Sequence, residues 1–189
     1  MRIISGSKKG HSILSYKNKD IRPLTDKNRE TIFNILIHGK EIISTGFQIT
    51  DCIVLDLFAG TGSFSFEALS RGASKGTIVE TSPLMVELIY KNMEKLNFRE
   101  QITVCNENAC SFSMPSSNSQ FNLIYCDPPY DKNLGVRSLK SLIKKKILKK
   151  NAIIILEEKI KSKSINLPEL ELLRIKEIGI SKFSFFKLL

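Results

Sequence analysis

The chain has 189 residues, 42% hydrophobic and 25% charged, the balance of a globular domain with a small appendage and not of a disordered or fibrous chain. With 29 Lys and Arg against 19 Asp and Glu the formal net charge is +10, which favours a polyanionic partner such as nucleic acid. No apolar run approaches the ~18–20 residues that cross a bilayer and MRIISGSKKG lacks a signal-peptide core, so a cytoplasmic protein without membrane association is expected. The four cysteines (Cys52, Cys105, Cys110, Cys126) show no C-x-x-C spacing and only His11 and His38 accompany them. Neither a metal site nor a disulfide framework is expected.

In chain order, Arg2–Ser5 and Ser12–Tyr16 read as two short strands around a Gly/Lys turn. RPLTDKNRETIFNILI follows from Arg22. Thr25 or Asp26 is a helix N-cap, and Ile32, Phe33, Leu36 and Ile37 form a helical stripe. From about Asp51 strand and helix alternate. Cys52–Phe58 is a continuous apolar run, as a buried parallel strand requires. Ser63–Gly72 is helical, Gly76–Glu80 a strand, and Ser82–Leu96 a helix with Ser82 as N-cap and Pro83 at its first position. Ile102–Cys105 and Phe121–Cys126 are strands, and Ser113–Gln120 is the loop before the second of them. Val136–Leu148 is a helix with Val136, Leu139, Ile143 and Ile147 on one face, and a solvated helix face explains KKKILKK (Lys144–Lys150) as well as a polyanionic partner does; Ala152–Glu157 is a strand, and the C-terminus is two strands joined near Gly179. This alternation predicts a doubly wound, mostly parallel α/β sheet. Residues 1–48 form an N-terminal extension and 49–189 the main domain.

Ligands of such sheets bind at the carboxyl ends of the strands. The first strand ends in DLFAGTGS, bringing Asp56, Phe58, Ala59, Gly60 and Gly62 to a strand-to-helix turn. The G-x-G-x-x-G dinucleotide fingerprint fails, since Ser65 stands at its third glycine. An acid ahead of the glycines suits S-adenosylmethionine, which has a cationic amino group and no pyrophosphate. Glu80 ends the next strand, 18 residues after Gly62, where a carboxylate accepts ribose hydroxyls. Asn108 and Ala109 follow the third strand, and Asn108 offers donor and acceptor to an adenine edge.

The fourth strand runs into Asp127-Pro128-Pro129-Tyr130. Neither proline can extend a central strand. An exocyclic base amine is a poor nucleophile because its lone pair is delocalised into the ring. The Asp127 carboxylate and the Pro128 carbonyl can each accept one N–H and turn that lone pair toward a methyl donor, with the prolines keeping both acceptors rigid. Tyr130 offers a face for a flipped-out base.

DPPY resembles the [DN]-P-P-[YFW] mark of amino-group nucleic-acid methyltransferases. The order MRIISGSKKGHSI, RPLTDKNRETIFNIL, DLFAGTGSFSFEALSRGA and DPPY is similar, over nearly the whole chain, to the bacterial RsmD-type enzymes. That resemblance implies a Rossmann-like class I methyltransferase fold: a seven-stranded sheet with a C-terminal antiparallel hairpin, preceded by a small N-terminal β-hairpin and helix. It implies methyl transfer from S-adenosylmethionine to the N2 amine of a guanine in 16S rRNA of the small ribosomal subunit. Asp56, Gly60, Gly62, Glu80 and Asn108 match the family's cofactor positions, Asp127 to Tyr130 its catalytic loop, and Arg22, Pro23, Thr25, Asp26, Arg29 and Glu30 a block near the mouth of the site. Leu24, Lys27, Lys9-Gly10-His11 and Ser82 depart from its pattern, and Lys cannot reproduce the bidentate phosphate contacts of Arg. Lys8, Lys9, Arg22, Thr25 and Arg29 are the RNA-contacting candidates of a basic N-terminal arm. Arg29 also stands three residues after Asp26, within reach of a helical ion pair. A monomer suffices. DPPY by itself leaves open an adenine-N6 methyltransferase acting on DNA or RNA. A non-catalytic RNA-binding assembly factor is the alternative from another class.

Overall fold

The computed structural model describes residues 1–16, 24–113, 120–129, 133–162 and 165–189. Its elements are α1 (Asp26–His38), α2 (Lys40–Ile43), β1 (Ile53–Leu57), α3 (Ser63–Ser70), β2 (Lys75–Val79), α4 (Pro83–Leu96), β3 (Ile102–Cys105), β4 (Phe121–Cys126), α5 (Leu134–Lys144), β5 (Leu148–Lys159), β6 (Leu170–Ile178) and β7 (Ser181–Leu188).

The strands form one seven-stranded sheet in the order β3-β2-β1-β4-β5-β7-β6. The first five are mutually parallel, and β7 runs antiparallel to both its neighbours. This is the Rossmann-like class I methyltransferase architecture with its C-terminal antiparallel pair. Strand order reverses between β1 and β4, and a reversal opens a crevice at the carboxyl ends of the strands. The interior strands are covered on both faces, which explains the unbroken burial of Val54–Leu57 and Leu123–Cys126. β7 sits between β5 and β6, so Ser181–Phe186 is buried without alternation, whereas edge strand β6 has no fully buried residue.

Two apolar clusters lie on the two faces. One joins Val54, Leu123 and Ile153 to α3, α4 and the N-terminal part, including Ile3, Ile13, Ile32 and Phe33. The other joins Leu55, Ile124 and Ile154 to Leu139 and Leu142 of α5. The described part of residues 1–48 thus shares the core of the sheet. No helix among the described residues is long and apolar enough to cross a membrane.

Three local expectations change. The N-terminal turn keeps only one bridge, Arg2 with Ser12, because the next amides, Ile4 and Ser5, donate to the Glu67 carboxylate at 2.8 and 3.0 Å. α5 begins two residues early and ends at Lys144, and Lys146 takes a left-handed φ of 56°. KKKILKK therefore straddles a turn and the start of β5 and is no helix face. Most of the Ser113–Gln120 loop lies outside the described residues.

α1 starts where capping chemistry dictates: the Thr25 side chain accepts the Asn28 N–H. Its inward face carries a fully buried Arg29. The guanidinium bonds Asp26 Oδ1 at 2.8 Å and the carbonyl of Arg2 at 2.5 Å, and lies 3.5 Å from Glu67. Arg71 binds the other Glu67 oxygen at 2.7 Å. Glu67 on α3 thus ties α1 and the N-terminal turn to the sheet layer. Rings continue the link, with Phe33 stacked on Phe64 at 5.0 Å and Phe64 on Tyr125 of β4 at 4.2 Å.

Candidate active site

A cleft of about 480 Å³ opens at the carboxyl ends of β1, β2 and β4. Its first wall is the turn after β1. Phe58 takes a left-handed φ of 59° and Gly60 and Gly62 follow at 55° and 73°. Three such residues in five turn the chain out of β1 and into α3. At Gly62 a Cβ would also sit 3.0 Å from the Phe66 and Ile78 side chains, so a side chain there is both strained in its backbone and crowded.

Asp56 interrupts the apolar β1 and is 1% exposed. Its Oδ2 accepts the Ser65 hydroxyl at 2.9 Å and the Ser65 N–H at 3.2 Å, while its Oδ1 is buried without a partner among the described residues. Burial, opposed by the Ser65 bonds and assisted by the Glu80 charge, raises its pKa to about 7. Asp56 lines the cleft, and an orphaned buried carboxylate oxygen there requires a donor. Glu80 accepts the amides of Gly60 and Ser82, each at 2.8 Å, one per oxygen. Those two bonds hold its plane fixed, and a carboxylate has about four lone-pair sites, leaving room for a diol.

Asp127, Pro128 and Pro129 continue from β4 and line the cleft. The register pairs Leu57 with Cys126, so the glycine turn and the proline turn leave the sheet side by side. Tyr130 lies outside the described residues, as does Arg22. Ala109 lines the cleft, but the Asn108 side chain is exposed and turned into a local turn, accepting the Cys110 N–H at 2.9 Å. Glu107 stands in the wall instead.

Arg29 is corrected. Being fully buried and bonded within the protein, it has no surface from which to touch RNA. Thr25 is exposed and caps α1. Lys8 lies by the end of α3 away from the cleft, its amide donating to Ser70 Oγ and its ammonium over Phe98, and the Lys9 amide donates to the Gly6 carbonyl in the same turn. Ser63 at the other end of α3 lines the cleft, and the two ends are roughly 10 Å apart at 1.5 Å per residue.

Several cleft residues are not singled out by the sequence as site candidates: Leu24 just before α1, Asn28 in its first turn, Phe64, Met85, Tyr125 and Glu157. The strand-end rule that singles out Asp56, Glu80 and Asp127 also marks Glu157, near the end of β5. Tyr125 required the register, since it pairs with Asp56 across β1 and β4.

Five carboxylates (Asp56, Glu80, Glu107, Asp127, Glu157) and no Lys or Arg line the described cleft of a protein with net charge +10. A pyrophosphate would be repelled there. A small cationic ligand with a diol is attracted, and the unpaired Asp56 Oδ1 supplies an acceptor for its ammonium.

A family model described as conserved hypothetical protein 95 matches residues 1–187. The chain is 33% identical over 193 residues to ribosomal RNA small subunit methyltransferase D of Haemophilus influenzae, covering 99% of this chain and 93% of that protein. To the Escherichia coli (strain K12) protein of the same name it is 31% identical over 162 residues, covering 86% and 76%. The solved structure of Escherichia coli yhhF superposes with a TM-score of 0.84 at 29% identity, covering 100% of this chain and 97% of that one.

Proposed function

The chain belongs to the family described as conserved hypothetical protein 95 and is an S-adenosylmethionine-dependent ribosomal RNA methyltransferase; we propose that it methylates the exocyclic N2 amine of a guanine in the 16S RNA of the small subunit. The observation that carries this reading is the acidic cleft, with an unpartnered Asp56 oxygen on one side and the Asp127-Pro128-Pro129 turn on the other.

S-adenosylmethionine, when bound, supplies a methyl group on a cationic sulfur. Asp56 Oδ1 would hold its ammonium, Glu80 its ribose hydroxyls, and the Glu107–Ala109 wall its adenine, with Asn108 reaching the adenine edge only after leaving Cys110. Asp127 and the Pro128 carbonyl accept the two N–H bonds of the target amine and direct its lone pair into the cleft. The prolines keep those acceptors from reorganising, so the gain is pre-organised geometry. Asp127 need not be a strong base, because the amine becomes acidic once alkylated and loses its proton afterward. Tyr130 is assigned to stack on the flipped base.

Residues 1–48 are assigned as the RNA-contacting extension and 49–189 as the catalytic domain. With Arg29 internal, the phosphate contacts fall to Arg22 and to exposed lysines. Lys8 and Lys9 would touch RNA away from the cleft. The working species is taken to be a monomer that needs no metal.

The test is methyl transfer from labelled S-adenosylmethionine to hypomethylated small subunits, free rRNA and unmethylated DNA, with the labelled nucleoside identified by mass. N2-methylguanosine from the rRNA is expected. Asp127→Ala should lower kcat at least 100-fold while cofactor affinity stays within a few-fold. Label on adenine N6 would replace the guanine reading.

A further inference from the structure

Glu157 has no task in the methyl-transfer scheme. It lies near the end of β5, which borders β4 on the side away from β1 and β2. That is the half of the cleft left for the base once the cofactor occupies the β1–β2 half. Leu156 pairs with Cys126, the last residue of β4, so Glu157 on β5 and Asp127, which follows β4, are the next positions in that register, and adjacent strands lie only about 4.8 Å apart. Glu157 is 6% exposed and lines the cleft.

Its orientation is held. The Tyr125 hydroxyl donates to Oε2 at 2.7 Å, and the Tyr125 ring is clamped against Phe64. Burial, reinforced by the Asp127 and Glu157 charges, keeps the Tyr125 hydroxyl protonated and therefore a donor. One hydroxyl leaves a carboxylate with acceptor capacity to spare. An acid so placed accepts a proton-bearing edge and repels a lone pair.

The purines differ on this point. Guanine carries N1–H next to its N2 amine. Adenine carries a bare N1 next to its N6 amine, and 2-aminopurine a bare N1 next to an N2 amine. We propose that Glu157 reads the base: it accepts the N1–H of the target guanine while Asp127 and the Pro128 carbonyl hold the adjacent amine, and it turns away a purine whose N1 bears a lone pair. Tyr125 is its positioning residue. This deepens the guanine reading and rests on it.

A site built to bond a substrate N–H rejects the analogue lacking it, commonly by 10-fold to 100-fold or more. The test uses small subunits reconstituted with rRNA carrying guanine or 2-aminopurine at the position identified by mass. The wild-type enzyme should methylate guanine at least 10-fold faster. Glu157→Gln, whose amide can donate to a bare N1, should lose at least 10-fold on guanine and shrink the ratio to a few-fold. Its affinity for S-adenosylhomocysteine should stay within 2-fold of wild type, which also reports that it folds. Tyr125→Phe should lower the ratio by a smaller factor.

Equal rates on guanine and 2-aminopurine with the wild-type enzyme would overturn the proposal without any variant. Wild-type activity of Glu157→Gln on guanine would do the same. If the wild-type enzyme instead labels adenine, the guanine reading itself fails, and this proposal with it.

Discussion

Replacing Asp56 by Asn should make the protein more stable and a worse enzyme. Asp56 is buried at the carboxyl end of β1 with one oxygen unpartnered. Its pKa rises on folding from the ordinary 3.8 to about 7, chiefly through burial. The sign follows from proton counting. Between these two values the folded state keeps a proton that the unfolded state has lost, so stability falls as pH rises through that window. At about 1.4 kcal/mol per pH unit the penalty approaches roughly 4 kcal/mol above pH 7. It is about 2 kcal/mol at pH 5. An Asn carbonyl can still accept from Ser65, and its amide never ionises. The advantage of Asp56→Asn should therefore grow by roughly 2–3 kcal/mol between pH 5 and pH 8, read from urea denaturation at both pH values. Binding moves the other way. Losing a charge-assisted bond to the cofactor ammonium costs about 1.5–3 kcal/mol, which is roughly 10- to 150-fold in Kd by calorimetry. Wild-type affinity should fall as pH drops below about 7, and that of the variant should stay flat. A variant no more stable at pH 8 than at pH 5, relative to wild type, would show that Asp56 is ionised at no cost. Unchanged cofactor affinity would remove it from the site.

Three further substitutions probe other joints. Arg29→Ala leaves Arg71 as the one described cation on Glu67, and breaking a buried ion pair costs about 3–5 kcal/mol; a loss of RNA affinity at unchanged denaturation midpoint would instead return Arg29 to the RNA surface. Gly6→Ala places a Cβ 1.7 Å from the Ser70 carbonyl oxygen at a φ of +84°. It should cost more than ~2 kcal/mol in thermal melts, and a midpoint within 1 °C of wild type, about 0.5 kcal/mol or less at this chain length, would mean that this turn detaches freely. Glu80→Gln keeps one acceptor oxygen for two backbone donors, Gly60 and Ser82. The orphaned amide and the weakened hold on the diol should raise the cofactor Kd roughly 10-fold or more, and a change below 2-fold would place the ribose elsewhere.

What the chain declares locally survived folding. The unbroken apolar runs of β1 and β4, the Ser82-Pro83 start of α4 and the glycine spacing after Asp56 each depend on neighbours within a few residues. Their order along the chain determines a parallel sheet with a crevice at its carboxyl ends. The boundary errors are local conflicts that tertiary pairing resolved. Glu67 took the amides that would have extended the N-terminal hairpin, and β5 recruited Leu148 to pair with Phe121 ahead of its apolar run. Arg29 shows the limit most plainly. An Arg three residues after an Asp on a basic arm reads equally well as a phosphate ligand or a helix-surface pair. Only the position of Glu67, 38 residues further on and facing it from α3, makes it an internal cation. The same holds for Tyr125 and Glu157, 32 residues apart and bonded across β4 and β5. Strand-end chemistry can be read from sequence because an end is a local event. Which side chains meet across strands depends on register and on the packing of α3 over the sheet, and that only the folded chain decides.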